Sequence, residues 1–270
     1  MTTTNPTDYH GQRAIFNEIS DLYDRYRPTY PAVLAEKVIA YSALQPSGKM
    51  LEIGSGTGKG TELFAEQGYT IHCLEPGGNL SNVAREKFRA FPKITFEETT
   101  FEAWTLTPET YEVVYAAQSF HWIPAEMGLR KAADALKPNG TLALIWNLSP
   151  PREDEQFQHI RNVYLREAPN LETERSHSVK DWPANNRANQ IRATGRYTDV
   201  RAEQFPWTKR YSSADYIALL DTHSSHQMLA LEVKERLYAG IIEVLNHYGG
   251  EIVIDYIAVL YLARNLARKA

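Results

Sequence analysis

The 270-residue chain predicts an α/β fold, a doubly wound and mostly parallel sheet of seven strands, on three observations. Apolar, β-branched segments alternate with helical ones between residues 49 and 146, which implies βαβ units around a parallel sheet. A glycine-rich bend, Gly54-Ser55-Gly56-Thr57-Gly58, follows the first of those strands. The alternation then breaks at Ser149-Pro150-Pro151, and strands near 200–207 and 252–262 are separated only by a helical pair, which predicts a terminal antiparallel pair.

Taken in order, Ile15, Phe16, Ile19, Leu22, Tyr23 and Tyr26 recur at helical spacing. Arg27-Pro28-Thr29-Tyr30-Pro31 ends that helix, because a residue before proline is driven out of the α region. A second helix carries Val33, Leu34, Val38, Ile39 and Leu44 on one side. Strands follow at Lys49–Ile53, Thr70–Glu75, Ile94–Glu97, Tyr111–Ala117 and Thr141–Trp146. Helices between them are expected at Glu62–Gln67, Leu80–Phe91 and Met127–Leu136, the last stopped by Lys137-Pro138-Asn139-Gly140. The nearly unbroken apolar run of Tyr111–Ala117 suits a strand covered on both faces. Beyond residue 150 the helices expected are Ala214–Leu220 and Met228–Leu245, with polar, partly helical sequence over 152–195.

The organisation expected is one domain over 1–270. Residues 9–44 cap the ligand side, 49–149 form the core, and 150–195 with 212–248 form a helical cover over an acceptor pocket.

Composition narrows the function. A formal net charge of −4 argues against general nucleic-acid binding, which asks for a basic surface. Cys73 is the only cysteine, which excludes intramolecular disulfides and cysteine-rich zinc sites. His223 and His226 lack a carboxylate beside them and read as solvated surface, so no metal is expected. Arg264, Arg268 and Lys269 read as a basic tail. No apolar run approaches the roughly 18 residues of a membrane span, and the first residues lack a secretory pattern, so a cytoplasmic protein is expected. The pattern suits a monomer and a homodimer equally.

The bend between strand and helix is the strongest chemical signal, because glycines let the backbone approach a ligand closely. A phosphate loop aligned on Gly58-Lys59 would put Ile53 at its first glycine and Gly60 at its hydroxyl, and both fail. A dinucleotide loop aligned on Gly54 and Gly56 meets Lys59 at its third glycine. What remains is Glu-x-Gly-x-Gly-x-Gly from Glu52 to Gly58, a cradle for a nucleoside and amino-acid portion without a pyrophosphate. Glu75 ends the next strand, nineteen residues after Gly56, where a carboxylate can accept both ribose hydroxyls. NAD and S-adenosylmethionine both use such an acid.

These residues, with Tyr23-Asp24-Arg25-Tyr26-Arg27-Pro28-Thr29-Tyr30-Pro31, Leu74-Glu75-Pro76, Phe101-Glu102-Ala103-Trp104, Gln118-Ser119-Phe120-His121-Trp122 and Leu136-Lys137-Pro138-Asn139-Gly140, resemble the class I S-adenosylmethionine-dependent methyltransferases. Within that family they are similar to the group around trans-aconitate methyltransferase. The resemblance implies a Rossmann-like sheet and S-adenosyl-L-methionine as cofactor. It implies that Gly54, Ser55, Gly56 and Gly58 pass along the methionine and ribose, and that Glu75 holds the ribose with Pro76 beside it. Phe101 would meet the adenine. Thr100 stands where the family usually has an aspartate, which weakens that contact. Ala117 and Gln118 would lie beside the methyl group and the methionine amine, while Tyr23 and Arg27 close over the cofactor, Arg27 pairing its carboxylate.

The implied reaction is methyl transfer to a small-molecule acceptor, a carboxylate or a hydroxyl. An NAD(P)-dependent oxidoreductase and an inactive nucleoside-binding relative are the alternatives. His121 is the candidate base, needed only for an acceptor less acidic than a carboxylate. Trp122, Trp146 and Asn147, near strand ends, are expected with His121 around the acceptor.

Overall fold

β1 (Lys49–Ile53) is buried along all but its first residue, so both faces of the sheet around it must be covered. The computed structural model describes residues 16–171 and 184–266. Ile15 and the rest of 9–15, the stretch 172–183 of the expected cover, and Arg268 and Lys269 lie outside the described residues.

β1 pairs in parallel with β2 (Thr70–Leu74) and β4 (Tyr111–Ala117). β2 continues to β3 (Ile94–Glu97), and β4 to β5 (Leu136–Leu148), both in parallel. β7 (Glu251–Asn265) runs antiparallel to β5, and β6 (Tyr197–Ser212) antiparallel to β7. The sheet therefore has seven strands in the order β3-β2-β1-β4-β5-β7-β6. The expected terminal pair is present, but only β7 opposes the sheet, inserted between β5 and β6. Both strands also outrun 200–207 and 252–262. β6 is an edge strand, a position that tolerates Pro206.

The helices are α1 (Ser20–Tyr26), α2 (Val33–Ser42), α3 (Gly78–Lys87), α4 (Ala125–Ala135), α5 (Glu155–Glu167), α6 (Ala184–Ala193), α7 (Ser213–Asp221), α8 (Ser224–Gln227) and α9 (Leu231–His247). One face of the sheet packs Leu51, Val114 and Trp146 against Leu129 and Ala132 of α4 and Ile191 of α6. The other packs Met50, Val113 and Tyr115 against Leu34 and Val38 of α2 and against Phe64. A third cluster joins Ile160 and Tyr164 of α5, Leu219 of α7 and Leu237 and Ile241 of α9 to Tyr211, Tyr216 and Tyr256. His226 belongs beside this cluster rather than on solvated surface: it is 3% exposed, and its Nε2 lies 2.9 Å from the Tyr164 hydroxyl.

The chain visits β1, β2 and β3 on one side, then crosses to β4 on the other. That reversal parts the connections leaving β1 and β4 and opens a crevice at their carboxyl ends. Gly54 and Gln118 stand there.

The helix expected over Glu62–Gln67 is instead two 3-10 turns, Thr61–Leu63 and Ala65–Gln67. Gly58, Gly60, Thr57 and Thr61 are weak helix formers, and the Thr61 hydroxyl turns down to donate 2.5 Å to Glu52 Oε2. The dipole behind the glycine bend is thus that of short turns. Gly60 lies so close to the sheet that a Cβ there would stand 2.5 Å from Glu52 Oε1 and 2.8 Å from Ala117 Cβ. Gly60→Ala is therefore expected to destabilise the fold by about 1–3 kcal/mol through overpacking, read as a lower urea midpoint; an unchanged midpoint would contradict this packing.

Candidate functional site

The bend is built by hydrogen bonds that leave one side open. Gly54 and Ser55 N–H groups both donate to Leu74 O, at 2.8 and 3.1 Å, which ties the end of β1 to the end of β2. Gly54 (φ +66°) and Gly56 (φ +57°) take the left-handed conformation that glycine adopts without strain. A Cβ on Gly56 would meet nothing within 4 Å, so the backbone there is bare toward the cavity.

Glu75 is buried and holds the bend from the side. Its Oε2 accepts from Gly56 N–H and its Oε1 from Gly77 N–H, each at 2.8 Å. Glu52 holds the bend from below. Its Oε2 accepts from the Tyr115 hydroxyl at 2.8 Å as well as from Thr61. Burial pushes its carboxyl from 4.5 up to about 7, against the pull of the Thr61, Tyr115 and Cys73 bonds.

Over this floor lies a cavity of about 550 Å³. It brings together Tyr23, Arg27, Gly54, Ser55, Gly56, Glu75, Pro76, Thr100, Phe101, Ala117, Gln118, His121, Trp122 and Asn147, fourteen of the sixteen residues expected at the site. Gly58 and Trp146 are the exceptions. Gly58 packs on the Phe88 ring, 2.3 Å from where a Cβ would stand, and so serves the loop's seat rather than the cavity. Trp146 is 1% exposed, edge-on to Tyr261 at 5.8 Å, within the core under α6.

Several lining groups are already committed. Gln118 is a non-glycine residue at φ +56°, and its Nε2 donates 3.0 Å to Asn147 O. Asn147 spends its amide structurally: Nδ2 donates to Thr29 O at 2.9 Å, and Oδ1 accepts from Trp207 Nε1 at 3.1 Å. Thr100 Oγ1 accepts from Ala103 N–H at 3.1 Å, capping the turn after β3. The buried Trp146 indole donates 3.4 Å to His121 Nδ1, which assigns the hydrogen of a neutral His121 ring to Nε2. His121 itself is exposed at the mouth, tilted against Trp122 with 4.9 Å between centroids.

Among the described residues two cations, Arg27 and Lys59, face the cavity. Arg27 donates from Nη2 to Thr222 O at 2.9 Å and lies over the rings of Tyr23 (5.3 Å) and Phe16 (5.9 Å). Its Nε is buried without an acceptor, and burial lowers its pKa despite the surrounding phenols. Lys59 has no hydrogen bond or ion pair among the described residues. Sequence reasoning used Lys59 only to exclude a phosphate loop and a dinucleotide, and it gave Tyr30 no role although the Arg-Pro-x-Tyr-Pro motif contained it; both line the cavity. Among the described residues, nothing from 150–195 or 212–248 does so. The apolar faces of α5, α7 and α9 are spent on the Tyr211–Tyr256 cluster and that of α6 on the sheet, and Arg27 reaches α7 through Thr222 at its end.

A family model for a methyltransferase domain matches residues 50–140, the stretch from β1 to the start of β5 that builds this floor. An uncharacterized methyltransferase of Schizosaccharomyces pombe is 27% identical over 87% of this chain and 88% of its own. The chain is an S-adenosylmethionine-dependent methyltransferase. Trans-aconitate 2-methyltransferase of Variovorax paradoxus is 26% identical to this methyltransferase over 55% of this chain and 56% of that one. Among solved structures, phosphoethanolamine N-methyltransferase 2 of Haemonchus contortus with S-adenosyl-L-methionine aligns at TM-score 0.55 and 14% identity, covering 97% of this chain and 59% of that one. The [4+2]-cyclase SpnF aligns at TM-score 0.58 and 13% identity, covering 98% of each chain.

The cofactor of the methyltransferase is S-adenosyl-L-methionine, and the cavity suits it on three counts. The bend is bare at Gly56, the buried Ser55 and Thr57 hydroxyls lining the cavity have no partner among the described residues, and Glu75 is fixed beside them. Among the described residues no cluster of His, Cys, Asp or Glu could hold a metal ion, and no helix is long and apolar enough to cross a membrane.

Between about pH 4.5 and 7 the folded methyltransferase keeps a proton on Glu52 that the unfolded chain releases. Ionising Glu52 above that window therefore weakens the native state, by at most about 3 kcal/mol. Wild type is expected to lose stability as pH rises through the window, while Glu52→Gln, which cannot ionise, loses less. Parallel urea-midpoint curves for the two proteins would contradict this.

Proposed function

We propose that the enzyme methylates a carboxylate oxygen of a small organic acid. The observation carrying this reading is the charge of the cavity: Arg27 and Lys59 face it with no carboxylate partner among the described residues, and His121 has Nδ1 engaged by Trp146. When bound, S-adenosylmethionine supplies a methyl group on a sulfonium, open to displacement by a nucleophile. A carboxylate is ionised at neutral pH and needs no base. His121 Nε2–H then serves as a donor that orients the acid, with Trp122 and Tyr30 walling its pocket. The Variovorax relative, named for trans-aconitate, acts on an acid as well.

In this reading Glu75 accepts the ribose hydroxyls, and Gly54, Ser55 and Gly56 run along the methionine and ribose. Pro76, Thr100 and Phe101 flank the adenine. Ala117 and Gln118 face the methyl group and the amine. Arg27, closed over by Tyr23, takes the cofactor's carboxylate, and its rings exclude water from that pair.

With labelled methyl donor and a panel of organic acids, the expected product is a base-labile methyl ester; a base-stable product would overturn the reading. Glu75→Ala is expected to weaken S-adenosylhomocysteine binding about 10- to 100-fold in calorimetry, the loss of charge-assisted hydrogen bonds. Unchanged affinity would remove Glu75 from the ribose. His121→Gln keeps a neutral donor and is expected to retain turnover within about ten-fold, whereas removing a general base typically costs about 10²–10⁴.

A further inference from the structure

We propose that Lys131 is a positioning residue for the adenine end of the cavity, fixing the Phe101 wall that a bound cofactor meets there. This rests on the reading above that sets the adenine beside Phe101, and it names the groups that hold that wall.

Phe101-Glu102-Ala103-Trp104 follows β3 as a turn, and Thr100, Phe101 and Glu102 line the cavity. Two bonds inside the turn set its shape. Trp104 N–H donates to Thr100 O at 2.9 Å, and Ala103 N–H donates to Thr100 Oγ1 at 3.1 Å. The carbonyls of Glu102 and Trp104 are met from outside it. Lys131 Nζ donates to both, at 3.0 and 2.6 Å. One ammonium thus spends two of its three donors on alternate carbonyls of a single turn.

The same ammonium lies 5.4 Å from the centre of the Phe101 ring and 5.6 Å from that of Trp104, within cation–π range. Those two rings are stacked, with 6.0 Å between centroids and 15° between planes. Behind them His72 stands edge-on to Trp104 at 6.2 Å. Both rings are buried, so the wall has a fixed backing on the side away from the cavity.

Lys131 is carried by α4, whose seat does not depend on the turn: Leu129, Ala132 and Ala133 beside it are buried in the core against the sheet. A lysine that serves only solubility keeps its head in water. This one is half-buried, makes no ion pair among the described residues, and lays its head on two carbonyls and two rings. Burial lowers its pKa against the pull of Glu102. Removing the ammonium leaves both carbonyls without that donor and the ring pair without its cation, which frees Phe101 to shift. The loss falls on the adenosine half of the cofactor and spares the amino-acid half.

The test is calorimetry on the full chain with S-adenosylhomocysteine and with methylthioadenosine, which shares the adenosine but lacks the amino-acid end. Lys131→Met is expected to weaken both ligands by the same factor, about 5- to 30-fold. Lys131→Arg keeps a cation and its donors and is expected to stay within about three-fold of wild type. Phe101→Leu is expected to weaken both ligands as well. Adding Lys131→Met to Phe101→Leu then costs little more, because the lysine acts through that ring and contacts shared in this way are not additive. Unchanged affinities in Lys131→Met overturn the proposal, and so does a loss confined to S-adenosylhomocysteine. Losses that multiply in the double variant, or a Lys131→Arg protein as weak as Lys131→Met, overturn it too, since each reduces Lys131 to a general prop of the fold. If Phe101→Leu leaves both affinities unchanged, the placement of the adenine falls and this proposal falls with it. If Phe101→Leu weakens both while Lys131→Met does not, only this proposal falls.

Discussion

The hydrogen bond from Gly56 N–H to Glu75 is the contact on which the site depends. It takes a backbone donor that would otherwise point into empty space and fixes it to the neighbouring strand's connection. The same carboxylate holds Gly77, so the loops leaving β1 and β2 are stapled by one side chain. Beneath them Glu52 does the converse work, pulling Thr61 and Tyr115 into the core. One acid faces the cavity and the other faces the sheet. Their different surroundings separate them: Glu75 is held by backbone donors at a cavity, Glu52 by hydroxyls in a sealed layer where burial favours its protonated form.

How much of this was legible in the sequence follows from what each signal measures. Periodicity located every strand of the parallel half, because apolar runs in a doubly covered sheet are nearly continuous. It underestimated β6, whose edge position leaves Gln204, Pro206, Thr208 and Arg210 exposed and whose alternation is filled with charge. It read a helix over Glu62–Gln67 because the apolar spacing fits one. The weak propensity of the preceding glycines and threonines, and a side-chain bond to Glu52, decided otherwise. At the site, strand ends and the family pattern found the residues that share the cavity. They failed at Gly58 and Trp146, since position along a strand does not say on which side of the sheet a side chain falls. His226 was misjudged for a related reason: its partner Tyr164 is 62 residues away.

The fold alone does not choose the reaction. A cyclase and an N-methyltransferase share this sheet at comparable likeness, as expected when function resides in groups grafted onto a common frame. The groups at the mouth of the cavity are held from far along the chain. There Asn147 is used up in joining Thr29 to Trp207, and the imidazole of His121 leans on an indole from the core. The capping segment and the antiparallel edge of the sheet are thereby locked to the same amide. This side of the cavity takes its shape from the most distant parts of the chain.

Lys59 stands between two glycines that cannot be exchanged freely, one seated on Phe88 and one pressed against Glu52 and Ala117. The closest packing at this corner falls on the glycines flanking the lysine, while its own half-buried side chain makes no hydrogen bond or ion pair among the described residues. Charge and architecture are therefore decoupled here. A substitution at position 59 is therefore expected to leave the scaffold in place, whereas one at either neighbour is not.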